Sequence, residues 1–204
     1  TAGTDLAITA VGDKPVVLER STGILHLPEG KTVNLDTSGL ALQQPGPDAD
    51  SVLVASRNEL ISVPLDGGKV TRTPSSKEKS APEGVAAQPV RLGKCVYAAW
   101  SGSGQFVRSC SGLFSGGTDT VHNDKLAASS APVFRVNRDA IVLNDLDTGS
   151  VWLPNEDLVL IEDWTDKTAQ TDDNADQKDD SANTSDSQTP PERTEENHAP
   201  KAVD

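Results

Sequence analysis

Ala140-Ile-Val-Leu-Asn-Asp-Leu-Asp-Thr-Gly-Ser-Val-Trp-Leu-Pro154 is an apolar run, a glycine turn, a second apolar run and a closing proline. Apolar runs of this length flanked by Asn, Asp and Gly read as two short strands joined by a tight turn. The same phrase occurs as Pro15-Val-Val-Leu-Glu-Arg-Ser-Thr-Gly-Ile-Leu-His-Leu-Pro28. It occurs again as Leu60-Ile-Ser-Val-Pro-Leu-Asp-Gly-Gly-Lys-Val-Thr-Arg-Thr-Pro74. A hairpin repeated along a chain marks an array in which each unit buries its faces against its neighbours.

The spacing of the turns chooses the architecture. Glycine-centred turns fall near positions 23, 68, 103 and 149, at intervals of 45, 35 and 46 residues. Propeller blades of four strands recur at about 40 to 50 residues, whereas a sandwich gives turns every 8 to 12 or so without a longer period. The expectation is an all-β, propeller-like array of four-stranded blades over residues 1–164, with part of a propeller lying before Thr1. The third unit departs from the phrase and is read as a divergent blade. Short strands are expected at Leu6–Val11, Pro15–Glu19, Ile24–Leu27, Thr32–Leu35, Ser51–Ala55, Glu59–Val63 and Lys69–Thr73. Others are expected at Gln88–Leu92, in the hairpin after it, and at Val133–Val136, Ala140–Leu143, Ser150–Leu153 and Leu158–Ile161. Asp124–Ser130 is the one helical candidate, and it is too short to stand in water, so it reads as a loop.

Residues 165–204 hold eleven acidic and four basic side chains, and their only aliphatics are alanines and Val203. Such a segment does not bury enough apolar surface to offset its chain entropy, so a disordered acidic linker or tail is expected. Of the net charge of −13, the body carries −6. An acidic balance opposes non-specific nucleic-acid binding and docking on anionic lipid. No apolar stretch approaches the length of a membrane-spanning helix. Thr1 is not an initiator methionine, so a processed form or an excised piece is expected.

Cys95 and Cys110 bracket Cys95-Val-Tyr-Ala-Ala-Trp-Ser-Gly-Ser-Gly-Gln-Phe-Val-Arg-Ser-Cys110. A two-residue loop at Gly102-Ser103, with glycine first, suits a type II′ turn. It pairs position 101 with 104, and the register then sets Cys95 opposite Cys110, within reach of a disulfide. The bond is expected in preference to two buried free thiols. It suits an exported protein.

Reactive chemistry is sparse. In Asn144-Asp-Leu-Asp-Thr-Gly149 the glycine stands fifth from Asp145, not sixth as a calcium loop needs, so the segment reads as a hairpin turn. His26, His122 and His198 show no metal spacing, and no cofactor is expected. Ser101, Ser103 and Ser115 sit in glycine-rich turns without the Gly-x-Ser-x-Gly pattern. Glu19, Asp66, Asp145 and Asp147 lie at or beside the recurring turns, which lowers their standing as catalysts. Tyr97, Trp100 and Phe106 cluster on the cysteine hairpin, and Trp152 and Trp164 flank the last unit. Filling of inter-blade space is favoured for these rings, with Trp100 and Trp152 kept as the aromatic binding candidates for a sugar or partner. Asn183-Thr-Ser matches a glycosylation acceptor.

The cysteine hairpin, together with Phe134-Arg-Val-Asn-Arg-Asp-Ala-Ile-Val-Leu-Asn-Asp145 and Gly149-Ser-Val-Trp-Leu-Pro154, resembles the N-terminal region of large secreted actinobacterial proteins. Those proteins continue through an acidic linker into tandem Ig-like or fibronectin type III domains. The resemblance implies an extracellular or cell-wall-associated protein with further domains after the linker, and no established activity. The expected function is a non-catalytic scaffold or binding module for a protein or glycan ligand, rather than an enzyme. The competing expectation is a carbohydrate-active enzyme or its accessory sugar-binding domain, which requires paired carboxylates or exposed aromatic platforms.

Overall fold

The computed structural model describes residues 5–111 and 117–161. The chain divides between Thr1–Trp164 and Thr165–Asp204, and all described residues lie in the first part. The expectations for residues 165–204, for Trp164, for Ser115 and for the acceptor at Asn183 fall outside the described residues.

The body is four antiparallel sheets in chain order. The first is β1 (Leu6–Val11), β2 (Lys14–Glu19), β3 (Ile24–His26) and β4 (Thr32–Asn34). The second is β5 (Ala41–Leu42), β6 (Ser51–Ala55), β7 (Glu59–Pro64) and β8 (Thr71–Pro74). The third holds β9 (Val85–Ala86), β10 (Val90–Leu92), β11 (Cys95–Ser101), β12 (Gln105–Cys110) and β13 (Gly117–His122). The fourth is β14 (Pro132–Asn137), β15 (Ala140–Asp145), β16 (Val151–Leu153) and β17 (Val159–Ile161). Each sheet is a meander whose neighbouring strands are consecutive in sequence, apart from β9, which pairs with β11.

The third sheet is divergent as expected, and its departure has a defined cause. β9 and β10 both pair with β11, at Trp100–Ser101 and at Cys95–Tyr97, so they are two pieces of one strand. The break falls at Gln88-Pro89, where proline has no N–H to give the ladder. The released groups bond to the second sheet instead. The Gln44 backbone N–H donates to the Pro89 carbonyl at 3.0 Å, and the Gln88 side chain donates to the Leu42 carbonyl at 3.2 Å. The Gln44 side chain reaches on to the Phe134 carbonyl of the fourth sheet at 3.0 Å. Three sheets are thereby tied together by two glutamines.

Side-chain alternation explains where the core sits. β6 and β11 are continuous apolar runs, and both are buried on both faces. That is the signature of a strand covered on both sides. β1 and β15 alternate between buried and exposed positions. Three apolar clusters result. Val16, Leu18 and Leu25 pack on Leu42, Val54 and Ile61 between the first and second sheets. Leu53 and Leu60 meet Ala98, Trp100 and Val107 between the second and third. Tyr97 and Phe106 meet Phe134, Leu143 and Trp152 between the third and fourth.

Two expectations are corrected. Asp124–Ala128 is a short helix, α1, and not a loop. The Asn123 side chain caps it by accepting from the Leu126 N–H at 3.0 Å, and Leu126 is buried against the third sheet. Capping and packing supply what the isolated segment lacks. β5, β9 and β13 had no counterpart among the expected strands. The first two are only two residues long, and β13 is polar and mostly exposed.

Candidate functional site

The cysteine hairpin folds as its sequence prescribes. Cys95 pairs with Cys110 and Trp100 with Gln105, which leaves Ser101 to Gly104 as the turn. Gly102 has φ of 78°, the left-handed region that a II′ turn needs at this place. The disulfide Cys95–Cys110 is formed, with the Cα atoms 4.0 Å apart.

The two tryptophans do not reach solvent. Trp100 and Trp152 are both 0% exposed. Trp100 donates from Nε1 to the Ser56 carbonyl at 2.6 Å, which locks the third sheet to the second. Trp152 lies among Phe134, Leu143 and Leu158. Neither ring has a free face, so the aromatic-platform role held open for them is corrected to packing between sheets. Tyr97 is buried with its hydroxyl donating to Asn155 Oδ1 at 2.7 Å, and burial raises its pKa.

The turn carboxylates are held by local bonds. Asp145 accepts from the Thr148 hydroxyl at 2.7 Å and from the Asp147 N–H at 3.2 Å, and Gly149 closes the turn at φ 74°. Burial pushes the Asp145 pKa up, but these bonds outweigh it and leave the group below the ordinary carboxylate range. Asp147 accepts from the Ser130 hydroxyl, and Asp66 from the Gly68 N–H. Glu19 bonds His26 Nε2 at 2.8 Å and the Thr22 hydroxyl at 2.9 Å, and the histidine lowers its pKa. His122 sits between Gln105 and Asp124. Ser101 donates to the Val85 carbonyl, and Ser103 is buried in the turn. Among the described residues no group of three His, Cys, Asp or Glu side chains is placed to hold a metal ion.

What the structure does assemble is a groove between the second and third sheets. One cavity of about 620 Å³ lies between β8, the segment after it and β13. A second, of about 240 Å³, lies between β7, β8 and the cysteine hairpin, and Thr73 lines both. Across the groove the floor is hydroxyl-rich. Ser109 bonds Thr118 at 3.0 Å on one wall, and Ser62 donates to Ser51 at 3.0 Å on the other.

The groove gathers cations in an acidic chain. Arg72, Lys77, Lys79, Arg91 and Lys94 line it, against Glu78 as the one acidic side chain among the described residues of the lining. Arg72 is committed to the fold, through an ion pair with Glu59 and a bond to the Leu35 carbonyl at 2.7 Å. Arg91 donates through Nη2 to Ser51 Oγ at 3.1 Å, and burial lowers its pKa while leaving it charged. Its Nε is buried without a partner. Lys77, Lys79 and Lys94 form no ion pair among the described residues. Lys77, Lys79 and Lys94 therefore keep donor capacity at the lining of the groove, with Arg91 charged beside them.

Sequence reading passed over this site. Its cations are spread from Arg72 to Lys94, on two sheets and a polar loop, with no motif among them. The usable signal was that this stretch is the most basic part of an acidic body.

No family model matches the chain, and no curated protein matches it. Among solved structures it is similar to a virginiamycin B lyase from Staphylococcus aureus, at 12% identity and a TM-score of 0.57. That match covers 80% of this chain and 56% of the lyase chain. It is also similar to a streptogramin B lyase, at 12% identity and a TM-score of 0.51, over 79% of this chain and 55% of the other. The chain thus spans about half the length of the structures it matches. At such identity the likeness carries the fold alone. The body of this protein is an all-β array of propeller blades.

Proposed function

We propose that this chain is a recognition module of an exported protein, and that the groove between its second and third sheets receives an anionic polymer. The ligand class is a linear glycan or related chain carrying repeated carboxylate or phosphate groups. One observation carries the reading: Lys77, Lys79 and Lys94, without an ion pair among the described residues, and half-buried Arg91 line two adjoining, hydroxyl-bearing cavities between the sheets. An extended groove with cations along its length fits a polymer better than a single small anion. The acidic remainder of the body repels the same ligand elsewhere, which confines binding to the groove. The resemblance of the cysteine hairpin and of Phe134–Asp145 to secreted actinobacterial proteins supports a setting outside the cell or in its wall, within a protein carrying Ig-like or fibronectin type III domains. Rigid sheets that hold surface loops in place suit a scaffold role.

The test is titration of the chain with oligogalacturonate in one arm and inorganic polyphosphate in the other. Saturable binding that weakens with salt is expected in at least one arm. Replacing Lys77, Lys79 and Lys94 by Gln is expected to weaken it by about tenfold or more, equivalent to roughly 1.4 kcal/mol. Absence of binding in both arms at low ionic strength, or binding indifferent to the three replacements, refutes the reading.

The likeness to two lyase structures favours a second reading, a propeller enzyme, which is the carbohydrate-active alternative in its broader form. Conversion of a bound oligomer during the same titration, seen as new chain ends, would establish it.

A further inference from the structure

The first and fourth sheets are apolar on both faces in sequence but covered on only one. In β1, Ala7 and Val11 are buried, while Leu6 is 49% and Ile8 71% exposed. The register sets Leu6, Ile8, Val17 and Ile24 on the outward face, beside the Glu19–His26 pair and, at its edge, Thr32 and Asn34. The fourth sheet repeats the pattern. Phe134, Leu143 and Trp152 face the third sheet, while Val133, Asn144, Val151 and Ile161 align on the other face. Val159, on that outward side with Leu153, is 50% exposed. Of the six large hydrophobic side chains exposed among the described residues, Leu6, Ile8 and Val159 lie on these two outward faces. None of the three apolar clusters joins those two sheets to each other.

We infer that both outward faces are inter-blade interfaces, and that their occupant is a further set of about three four-stranded antiparallel sheets of the same repeat, carried by the same gene product. The inner junctions of this chain show the chemistry such a contact needs, with aliphatic rows of one sheet packing on those of the next. The number follows from the structural matches. Four sheets fill 56% of one similar chain and 55% of the other, so a complete ring holds about seven. A second copy of this chain, closing a ring of eight, is the alternative occupant. Contiguous exposed apolar side chains on a sheet face mark an interaction surface.

The experiment compares the chain alone with the full-length gene product that contains it, by amide hydrogen exchange and by thermal melting of an Ile8→Glu variant. In the full-length product, amides of β1 and β15 are expected to exchange at least about tenfold more slowly than in the chain alone. Ile8→Glu, at an exposed position here, is expected to leave the melting temperature of the chain alone unchanged and to lower that of the full-length product. Equal exchange in the two forms overturns the inference. So does a chain that forms a defined dimer by light scattering and loses it on Ile8→Glu, because the occupant is then a second copy. A variant with no effect in either form also overturns it.

Discussion

Trp100→Ala is the perturbation with the largest consequence that the structure specifies. The ring is fully buried between Leu53 and Leu60 of one sheet and Val107 of the next. Truncating a buried tryptophan costs about 3–5 kcal/mol in lost transfer free energy and residual cavity. The Ser56 carbonyl loses its donor at 2.6 Å, and a buried orphan acceptor costs a further ~1–3 kcal/mol. Because the second and third sheets relax partly into the space, the combined loss is set at about 4–6 kcal/mol. For a body of this size that corresponds to a fall in melting temperature of roughly 8–24 °C. Trp100→Phe separates the two contributions, since it keeps most of the volume and removes only the donor, at a cost of ~1–3 kcal/mol. Urea titration followed by far-ultraviolet circular dichroism measures both. A Trp100→Ala protein within about 1 kcal/mol of the parent would refute the packing argument. A variant that kept its stability and lost a sugar ligand would restore the stacking role instead.

Four other outcomes are expected. Removing the disulfide by Cys95→Ala with Cys110→Ala, which opens a separation of 15 residues, is expected to lower stability by about 3 kcal/mol in the chain-entropy model, and reductant alone should reproduce the loss. Asp145 has a folded pKa below its ordinary value, so its stabilisation is complete above the unfolded pKa and disappears as pH falls through the folded one. The stability gap between parent and Asp145→Asn should therefore close on acidification, and a gap independent of pH would contradict that. Gly104→Ala places a Cβ within 2.6 Å of the Asn123 carbonyl at φ 67°, so it is expected to cost more than about 1 kcal/mol and to loosen α1, read by melting and by exchange at Leu126. Gln44→Ala removes the tie to the Phe134 carbonyl, with a loss of about 1 kcal/mol and faster exchange in β14 as the readout.

The parts of the fold legible in the sequence were those written in local pattern. Ala140–Asp145 with Val151–Leu153, and the cysteine hairpin with its register, need only alternation and turn chemistry, and both fold as read. β13 was illegible because Gly117-Thr-Asp-Thr-Val-His122 is polar, and its strand character comes from pairing with β12. α1 was read as a loop because its stability lies in the Asn123 cap and the burial of Leu126, neither of which is a propensity. Trp100 and Trp152 were correctly favoured as filling, yet kept as binding candidates, because a lone tryptophan reads the same in sequence whether its ring faces water or a neighbouring sheet. The groove was invisible for a different reason. Thr71–Pro74 and Gly117–His122 are neighbours only because the second and third sheets are stacked, and no spacing in the chain encodes that meeting.

Amide chemical-shift mapping during an oligogalacturonate titration most directly tests whether the groove is the recognition surface. The account predicts that shifts concentrate at Thr73, Lys77, Lys94, Val96 and Thr118, with the first and fourth sheets unchanged. Shifts centred on any other surface, with the groove amides unmoved at saturation, would contradict it.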